Sequence, residues 1–503
     1  MALKRNFSVG LFGSIWSALL GLAVIPLYIK YLGAEAYGLI GFFATTQALL
    51  QLLDLGLSPT INREVARCSA TNKMQEARSL LHTLSIVYWG MAFVIGLIII
   101  VLAPLISNHW LQARALPTTT ITQALMLMGL VVACRWPVGL YMGALMGMQR
   151  VALSSIINTA FGTLSSLGTV AVLILISPTI KAFFIWQACV GVCYALVMHV
   201  IAWHVVQGKH EKRQFSFDDL KRVWKFSAGM SAVTVTGIIL IQADKLLLSK
   251  LLSLGDFGHY TLAALVANSL YILLTPLFNT IYPKMSALVA SNDTEKLVDL
   301  YKNGTRLFLG ALFPIAIVTA VFSENLLYLW TGNQELAIKS SPIVSLFLIG
   351  TALNGVMHFP YALQLAYGET KLPIRINLIL IIITVPMTIV LGQTYGAVGG
   401  AGSWAILNFI YLLIGTWLTH RTLLKGVSLS WLLGDVILPL CVATFAGLVA
   451  FVIKNYSLPI YVQLLACIML VIIAFIITIC ISPKLRLLSK GIFERKVSVL
   501  SNS

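Results

Sequence analysis

This chain is poor in charge, and poorer still in acid. Only 10% of its 503 residues are charged, and Asp and Glu together number 17. A soluble domain carries about 25% charged residues. With 59% hydrophobic residues and a mean hydropathy of +0.91, the chain cannot be soluble, and no stretch is polar enough for a separate globular domain. No G-x-x-x-x-G-K-[ST] loop is present, which excludes ATP as the direct energy source. Large loops with His or acidic clusters, expected of a membrane-embedded transferase, are missing as well. The longest interior loop, near 207–225, holds Asp218 and Asp219 and reads as a charged connector. The seven cysteines fall almost entirely in apolar segments. Cys189 and Cys193 share a helix face but have no His or carboxylate beside them, so they read as small packing residues, and neither a metal nor a cofactor is expected. Apolar sequence from Phe7 onward follows Met1–Arg5 without a small-residue cleavage site. The segment therefore reads as a first transmembrane helix and not as a removed signal peptide.

What fills the chain is apolar helix. A span needs about 20 apolar residues, and that ruler gives fourteen: 7–29, 36–58, 81–106, 120–145, 151–176, 182–206, 226–250, 256–281, 305–330, 341–367, 373–395, 398–419, 433–454 and 459–482. Basic residues set their orientation. With the N-terminus in the cytoplasm, 26 of the 34 Lys and Arg fall in cytoplasmic loops and tails. Six fall on the opposite side (Lys30, Arg114, Lys181, Lys250, Lys339 and Lys454), and Arg135 and Lys245 lie inside spans. Such an asymmetry places both termini in the cytoplasm. It also accounts for the +17 net charge, which is spread over short loops next to anionic lipid and does not point to nucleic acid.

The chain also repeats itself at an offset of 220 residues. Lys30 precedes Tyr37-Gly38 as Lys250 precedes Phe257-Gly258. Ala70-Thr71-Asn72 matches Ala290-Ser291-Asn292, Gly90 and Phe93 match Gly310 and Phe313, and Trp110 matches Trp330. Six spans separate the copies, so both keep one orientation, as in parallel repeats related by an axis along the membrane normal. The expected fold is an all-α polytopic membrane protein of two six-helix lobes plus two extra helices. The expected boundaries are an N-lobe at 1–206, a cytoplasmic linker at 207–225, a C-lobe at 226–420, and helices 13–14 with a cytoplasmic tail at 421–503. The polar segments 60–80 and 283–304 are expected to lie along the cytoplasmic surface as amphipathic elbows.

Polar residues inside spans are costly unless they face a cavity or a partner. Span 2 carries Gln47, Gln51, Asp54 and Ser58 on one helical face, and span 8 carries Asn268, Tyr271, Thr275 and Asn279. Span 7 adds Ser227, Ser231, Thr234, Gln242, Lys245 and Ser249, and span 1 the smaller set Ser14, Ser17 and Gly21. These stripes predict a hydrated cavity lined by spans 1, 2, 7 and 8; hydrogen bonding inside each lobe is the alternative. Arg135, just before Trp136-Pro137, sits mid-span, where an arginine costs about 2.5–3.5 kcal/mol. It reads as an anion contact, or else as half of an internal ion pair. Lys245 could join it or snorkel. Asp54, Asp244 and His358 are candidates for ion coupling; Asp54 could instead receive the loop arginines Arg63 or Arg67, and Asp244 a partner inside its lobe. Lys30 and Lys250 read as interfacial anchors.

The stretch Tyr31-Leu32-Gly33-Ala34-Glu35-Ala36-Tyr37-Gly38, followed by Leu53-Asp54-Leu55-Gly56-Leu57-Ser58-Pro59 and Asn62-Arg63-Glu64, resembles the N-terminal signature of the polysaccharide-transport family. These are bacterial flippases of O-antigen and capsule repeat units, within the superfamily that holds MATE exporters and the lipid II flippase. The resemblance implies a MATE-like fold, an inner-membrane location and no enzymatic activity. It implies a substrate of oligosaccharide on undecaprenyl diphosphate, moved to the periplasmic leaflet by alternating access. A polysaccharide polymerase and a chain-length regulator would be its partners, beside membrane lipids. By analogy, the two extra helices would form a groove for the isoprenyl tail. On this reading Arg135 and Lys245 offset the diphosphate charge. The competing expectation is a MATE-like cation-coupled antiporter, which would favour acidic residues in the cavity.

Overall fold

The computed structural model describes residues 2–54, 56–206, 217–456 and 459–481, with side chains left undescribed for 2–8, 10–11, 217–220 and 222–232. The expected linker therefore lies largely outside the described residues, as do the tail from 482 and the side chains of Ser227 and Ser231.

The chain divides into two compact units, Met1–Gly258 and His259–Ser503. The first holds α1 (Ala2–Leu50), a 3-10 turn at Gln51–Asp54, α2 (Leu57–Ala70), α3 (Met74–His109), α4 (Thr118–Arg135), α5 (Val138–Gly147), α6 (Val151–Leu175), α7 (Ile180–Val205) and α8 (Phe217–Leu251). Then come α9 (Leu254–Asn268), which spans the division, and α10 (Tyr271–Ala290), α11 (Thr294–Val321), α12 (Ser323–Thr331), α13 (Gln334–Val356) and α14 (His358–Ala366). The last are α15 (Lys371–Leu423), α16 (Ser428–Trp431), a π-helical turn at Leu432–Ile437, α17 (Leu438–Asn455) and α18 (Ile460–Ile481). α8 packs on α1, α2 and α3, which is why it counts with the first unit.

Among the described residues, ten helical stretches are long and apolar enough to cross a membrane, or eleven when α9 and α10, bent by 42°, count as one span. Two of them are double. α1 breaks at Gly33 (φ 83°) and α15 at Gly396 (φ 60°), both in the left-handed region that only glycine enters without strain. With those divisions and α8, the helices are consistent with the fourteen spans read from the sequence. Their surfaces carry Leu, Ile, Val and Phe, as lipid-facing helices do (Phe93 is 69% exposed and Leu465 61%).

The repeat recurs in local structure. α2 and α10 end at Ala70 and Ala290, and the next helices begin at Met74 and Thr294. Between them Asn72 (φ 55°) and Asn292 (φ 54°) both take the left-handed conformation that asparagine tolerates best among residues with a Cβ. These turns correct the expected elbows. The segment 60–80 is the amphipathic α2 plus the first turns of α3, but 283–304 is no separate surface helix. It is the end of α10, running through Pro283, joined by a tight turn to α11. Asp293 caps α11 by accepting the Lys296 N–H (3.2 Å). The Lys296 ammonium, 2.6 Å away, holds that carboxyl below the usual range.

In the first unit the core lies where α2, α3, α5 and α7 meet, around Ile61, Val65, Leu84, Tyr88, Tyr141 and Met198. α5 presses against α2 so closely that a Cβ on Gly143 would stand 2.6 Å from the Ser58 carbonyl oxygen. In the second unit the two helices without a repeat counterpart pack on α11. α17 is tied there by charge as well. The π-helical turn at its start buries Asp435, and Arg306 of α11 reaches its Oδ1 at 2.6 Å.

Candidate functional site

A cavity of about 470 Å³ opens within the first unit. Gln47, Leu50, Gln51 and Asp54 line it from the end of α1 and the 3-10 turn, and Ser58 from α2. Val132, Arg135, Trp136 and Gly139 come from the α4–α5 junction, and Thr234 and Ile238 from α8. Two local breaks build it. The 3-10 turn at Gln51–Asp54 tightens the chain, and Gly56 (φ 76°) then redirects it into α2. At Trp136–Pro137 the helix stops and restarts, because proline offers no N–H and its ring opposes the preceding turn. Arg135 is thereby placed in the last turn of α4, where the partial negative charge of the helix end favours a cation.

The guanidinium of Arg135 has no carboxylate partner among the described residues. Its Nη2 donates to Gln187 Oε1 (2.5 Å) and to Ser165 Oγ (3.3 Å). Ser165 Oγ also donates to Gln187 Oε1 (2.7 Å), and Gln187 Nε2 donates to Thr169 Oγ1 (3.0 Å). A hydrogen bond to a charged group contributes about 1.5–3 kcal/mol, comparable to the insertion cost of the arginine. Neutral dipoles thus hold the side chain in place and leave its positive charge uncancelled. Trp136 Nε1, on the same wall, is buried with no hydrogen-bond partner among the described residues.

Asp54 lines the same cavity, and its oxygens are occupied. They accept from the Ser58 N–H (3.2 Å), from the Ser58 hydroxyl (2.8 Å) and from the Tyr88 hydroxyl. The carboxylate so caps the start of α2. Of the two arginines expected beside it, Arg67 pairs instead with Glu64 (3.0 Å) and Glu76 (3.3 Å).

The other sequence candidates are placed as follows. Gln47, Gln51, Asp54, Arg135 and Thr234 come together in the cavity. Lys245 is half-buried further along α8, where its Nζ lies 3.4 Å from Asp244 Oδ1 and donates to the Ile241 carbonyl (3.0 Å). Gln242 Oε1 is buried with no hydrogen-bond partner among the described residues. No described residue of span 1 lines this cavity, whereas the α4–α5 junction does. In the second unit Tyr271 donates to Asn354 Oδ1 (2.9 Å), whose Nδ2 donates to Asn408 Oδ1 (2.8 Å). The His358 ring lies beside Tyr271 (6.2 Å between centroids), with Nδ1 3.3 Å from the Asn354 carbonyl. Asn268, Thr275 and Asn279 are exposed on that unit. Lys250 lies over the Trp110 ring at 5.1 Å, as an interfacial anchor would. Sequence reasoning did not single out Gln187, Ser165, Thr169 or Tyr88. A lone glutamine in the apolar α7 was the one visible signal.

Comparison with known proteins agrees with this architecture. The profile of the family described as "Polysaccharide biosynthesis protein" matches residues 3–289, and that of "MatE" matches residues 231–397. The "Putative O-antigen transporter" of Shigella flexneri is 21% identical over 428 residues, covering 84% of this chain and 98% of that protein. The "Lipopolysaccharide biosynthesis protein WzxC" of Escherichia coli (strain K12) is 25% identical over 217 residues, 42% of each. Among solved structures, the lipid II flippase MurJ in an inward closed conformation superposes with a TM-score of 0.69 at 14% identity, over 97% of this chain and 98% of that one. An inward-facing multidrug resistance MATE family transporter gives 0.65 at 14% identity, over 81% and 94%. The likeness to both is one of fold.

Proposed function

Because this chain belongs to the polysaccharide biosynthesis protein family, we propose that it is a flippase for lipid-linked oligosaccharides. It takes an undecaprenyl-diphosphate-linked repeat unit of O-antigen or a similar surface polysaccharide from the cytoplasmic to the periplasmic leaflet of the bacterial inner membrane. The diphosphate and sugars cross through the polar interior by alternating access of the two lobes, and the prenyl tail stays in lipid.

The observation that carries the reading is Arg135, which has no carboxylate partner among the described residues, in a cavity it shares with Gln47, Gln51, Thr234 and the hydrogen-bonded Asp54. Coulombic attraction strengthens as the local dielectric falls, so a single arginine there offsets part of the diphosphate charge. Gln47, Gln51 and Thr234 supply the hydrogen-bonding capacity that a sugar needs. Gln242, Asn268, Tyr271, Thr275 and Asn279 are assigned to the same substrate path at other stages, with Asp54, Asp244 and His358 as groups for ion coupling. Lys245 contributes less than Arg135, because Asp244 stands beside it. A polysaccharide polymerase and a chain-length regulator act on the delivered product.

The MatE match favours a second reading, a cation-coupled antiporter of small molecules. Such a transporter favours acidic residues in its cavity, and here Asp54, the one acid among the described lining residues, shares the cavity with Arg135. The two readings part in proteoliposomes holding the purified chain. A fluorescent undecaprenyl-diphosphate oligosaccharide in the inner leaflet should become accessible to dithionite, a membrane-impermeant quencher, at a rate set by the amount of protein. Proton-driven movement of a cationic dye with no movement of the labelled lipid would decide for the antiporter.

A further inference from the structure

A second basic cleft lies in the second unit, at the junction of α15 and α16. It has a volume of about 240 Å³ and is lined by Trp417, His420, Arg421, Lys425, Gly426 and Ser428. We propose that this cleft binds the phosphodiester headgroup of an anionic phospholipid, independently of the translocated substrate.

Four observations converge on it. Arg421 and Lys425 are exposed, and neither forms an ion pair among the described residues. Two cations lining one small cleft repel each other unless an anion stands between them. Trp417 is exposed, and the Arg421 guanidinium lies 5.3 Å from the centre of its ring, an arrangement that holds the arginine at the level of the lipid headgroups. His420 is only 2% exposed; its Nε2 meets the Tyr301 hydroxyl (2.8 Å), whereas its Nδ1 is buried with no hydrogen-bond partner among the described residues. Finally, Leu429 and Leu433, just beyond the cleft, are 67% and 53% exposed.

That last pair separates a lipid from free phosphate. Soluble phosphate needs only the cations, whereas a phospholipid also needs apolar protein surface below the headgroup for its acyl chains. Lys and Arg next to a span at the cytoplasmic face meet the leaflet that carries anionic lipid, and the charge asymmetry of this chain assigns Arg421 and Lys425 to that face. The cleft belongs wholly to the second unit and shares no residue with the Arg135 cavity.

The test is native mass spectrometry of the full chain in detergent, titrated with dioleoylphosphatidylglycerol or dioleoylphosphatidylcholine. The wild type should retain one phosphatidylglycerol that the double variant R421Q/K425Q binds roughly tenfold or more weakly. Phosphatidylcholine should not distinguish the two, excess inorganic phosphate should not displace the lipid, and R421K/K425R should restore it. K296Q, which removes an exposed lysine elsewhere, should bind like wild type. Equal phosphatidylglycerol binding by R421Q/K425Q and wild type would overturn the proposal. So would an equal loss in K296Q, which would mark general surface charge, or displacement by inorganic phosphate, which would mark a soluble-anion site. All substituted side chains are exposed, and a melting temperature within error of wild type confirms folding before lipid is added.

Discussion

At the scale of the residue, Arg135 decides most. Its partner Gln187 is neutral, so the guanidinium keeps its own charge, and that charge can be tested apart from the bulk of the side chain. Arg135→Ala and Arg135→Gln are expected to reduce surface polysaccharide roughly 30-fold or more, as befits the loss of about 2 kcal/mol from a desolvated charge contact. Arg135→Lys should retain part of the activity, since lysine keeps the charge without the planar fork. Immunoblots of polysaccharide and of membrane-embedded protein check both quantities. If all three variants vanish from the membrane, the arginine is structural. Gln187→Glu gives the sharper contrast. It places a carboxylate 2.5 Å from the guanidinium and cancels the charge without emptying the site, so abundance should hold while transport falls. Unchanged transport in Gln187→Glu would sink the anion role. Arg135 was legible in the sequence because an arginine is expensive in the middle of an apolar span. Gln187 was not, because one glutamine among apolar neighbours does not reveal which helix it faces.

At the scale of the element, the cavity depends on two helix breaks that differ in how they are written. The break at Trp136–Pro137 is plain in the sequence, since proline inside a span frees backbone groups. The 3-10 turn at Gln51–Asp54 is not, because those residues continue the helical spacing of Gln47 without interruption; the redirection comes from Gly56 and from Asp54 capping α2. That geometry also relies on α5 lying close beneath α2. Gly143→Val is therefore expected to push α2 outward, carrying Ser58 and the Asp54 contacts with it, and to lower the thermal midpoint in detergent. A midpoint within error of wild type would show that α2 yields freely. The signature residue Glu35 acts through another element again. Its carboxylate accepts from the backbone N–H groups of Arg114, Ala115 and Leu116 at 2.8–3.0 Å, and so fixes the loop between α3 and α4. Glu35→Ala removes charge-assisted bonds that contribute about 1.5–3 kcal/mol each, and should make residues 110–117 an early site of limited proteolysis. A cleavage pattern identical to wild type would leave the loop held by other contacts.

At the scale of the whole molecule, what the sequence disclosed best was order along the chain. The succession of apolar helices and the 220-residue offset follow from apolar run length and residue identity, both of which are local. Which polar faces meet was less legible, because a polar stripe has the same spacing whether it lines a cavity or bonds to a neighbouring helix. Orientation is the property that joins the two levels, since it decides from which leaflet the cavity receives its substrate. It rests on charge alone: 26 basic residues assigned to one side against six on the other. Anionic lipid and the membrane potential both hold Lys and Arg in the cytoplasm during insertion. Reporter fusions after Arg114, Lys181 and Lys339 should therefore read periplasmic, and fusions after Arg150, Lys225 and Arg421 cytoplasmic. An even number of spans between the copies requires matching results at repeat-related loops, so two or more inverted fusions would break the parallel repeat as well as the orientation.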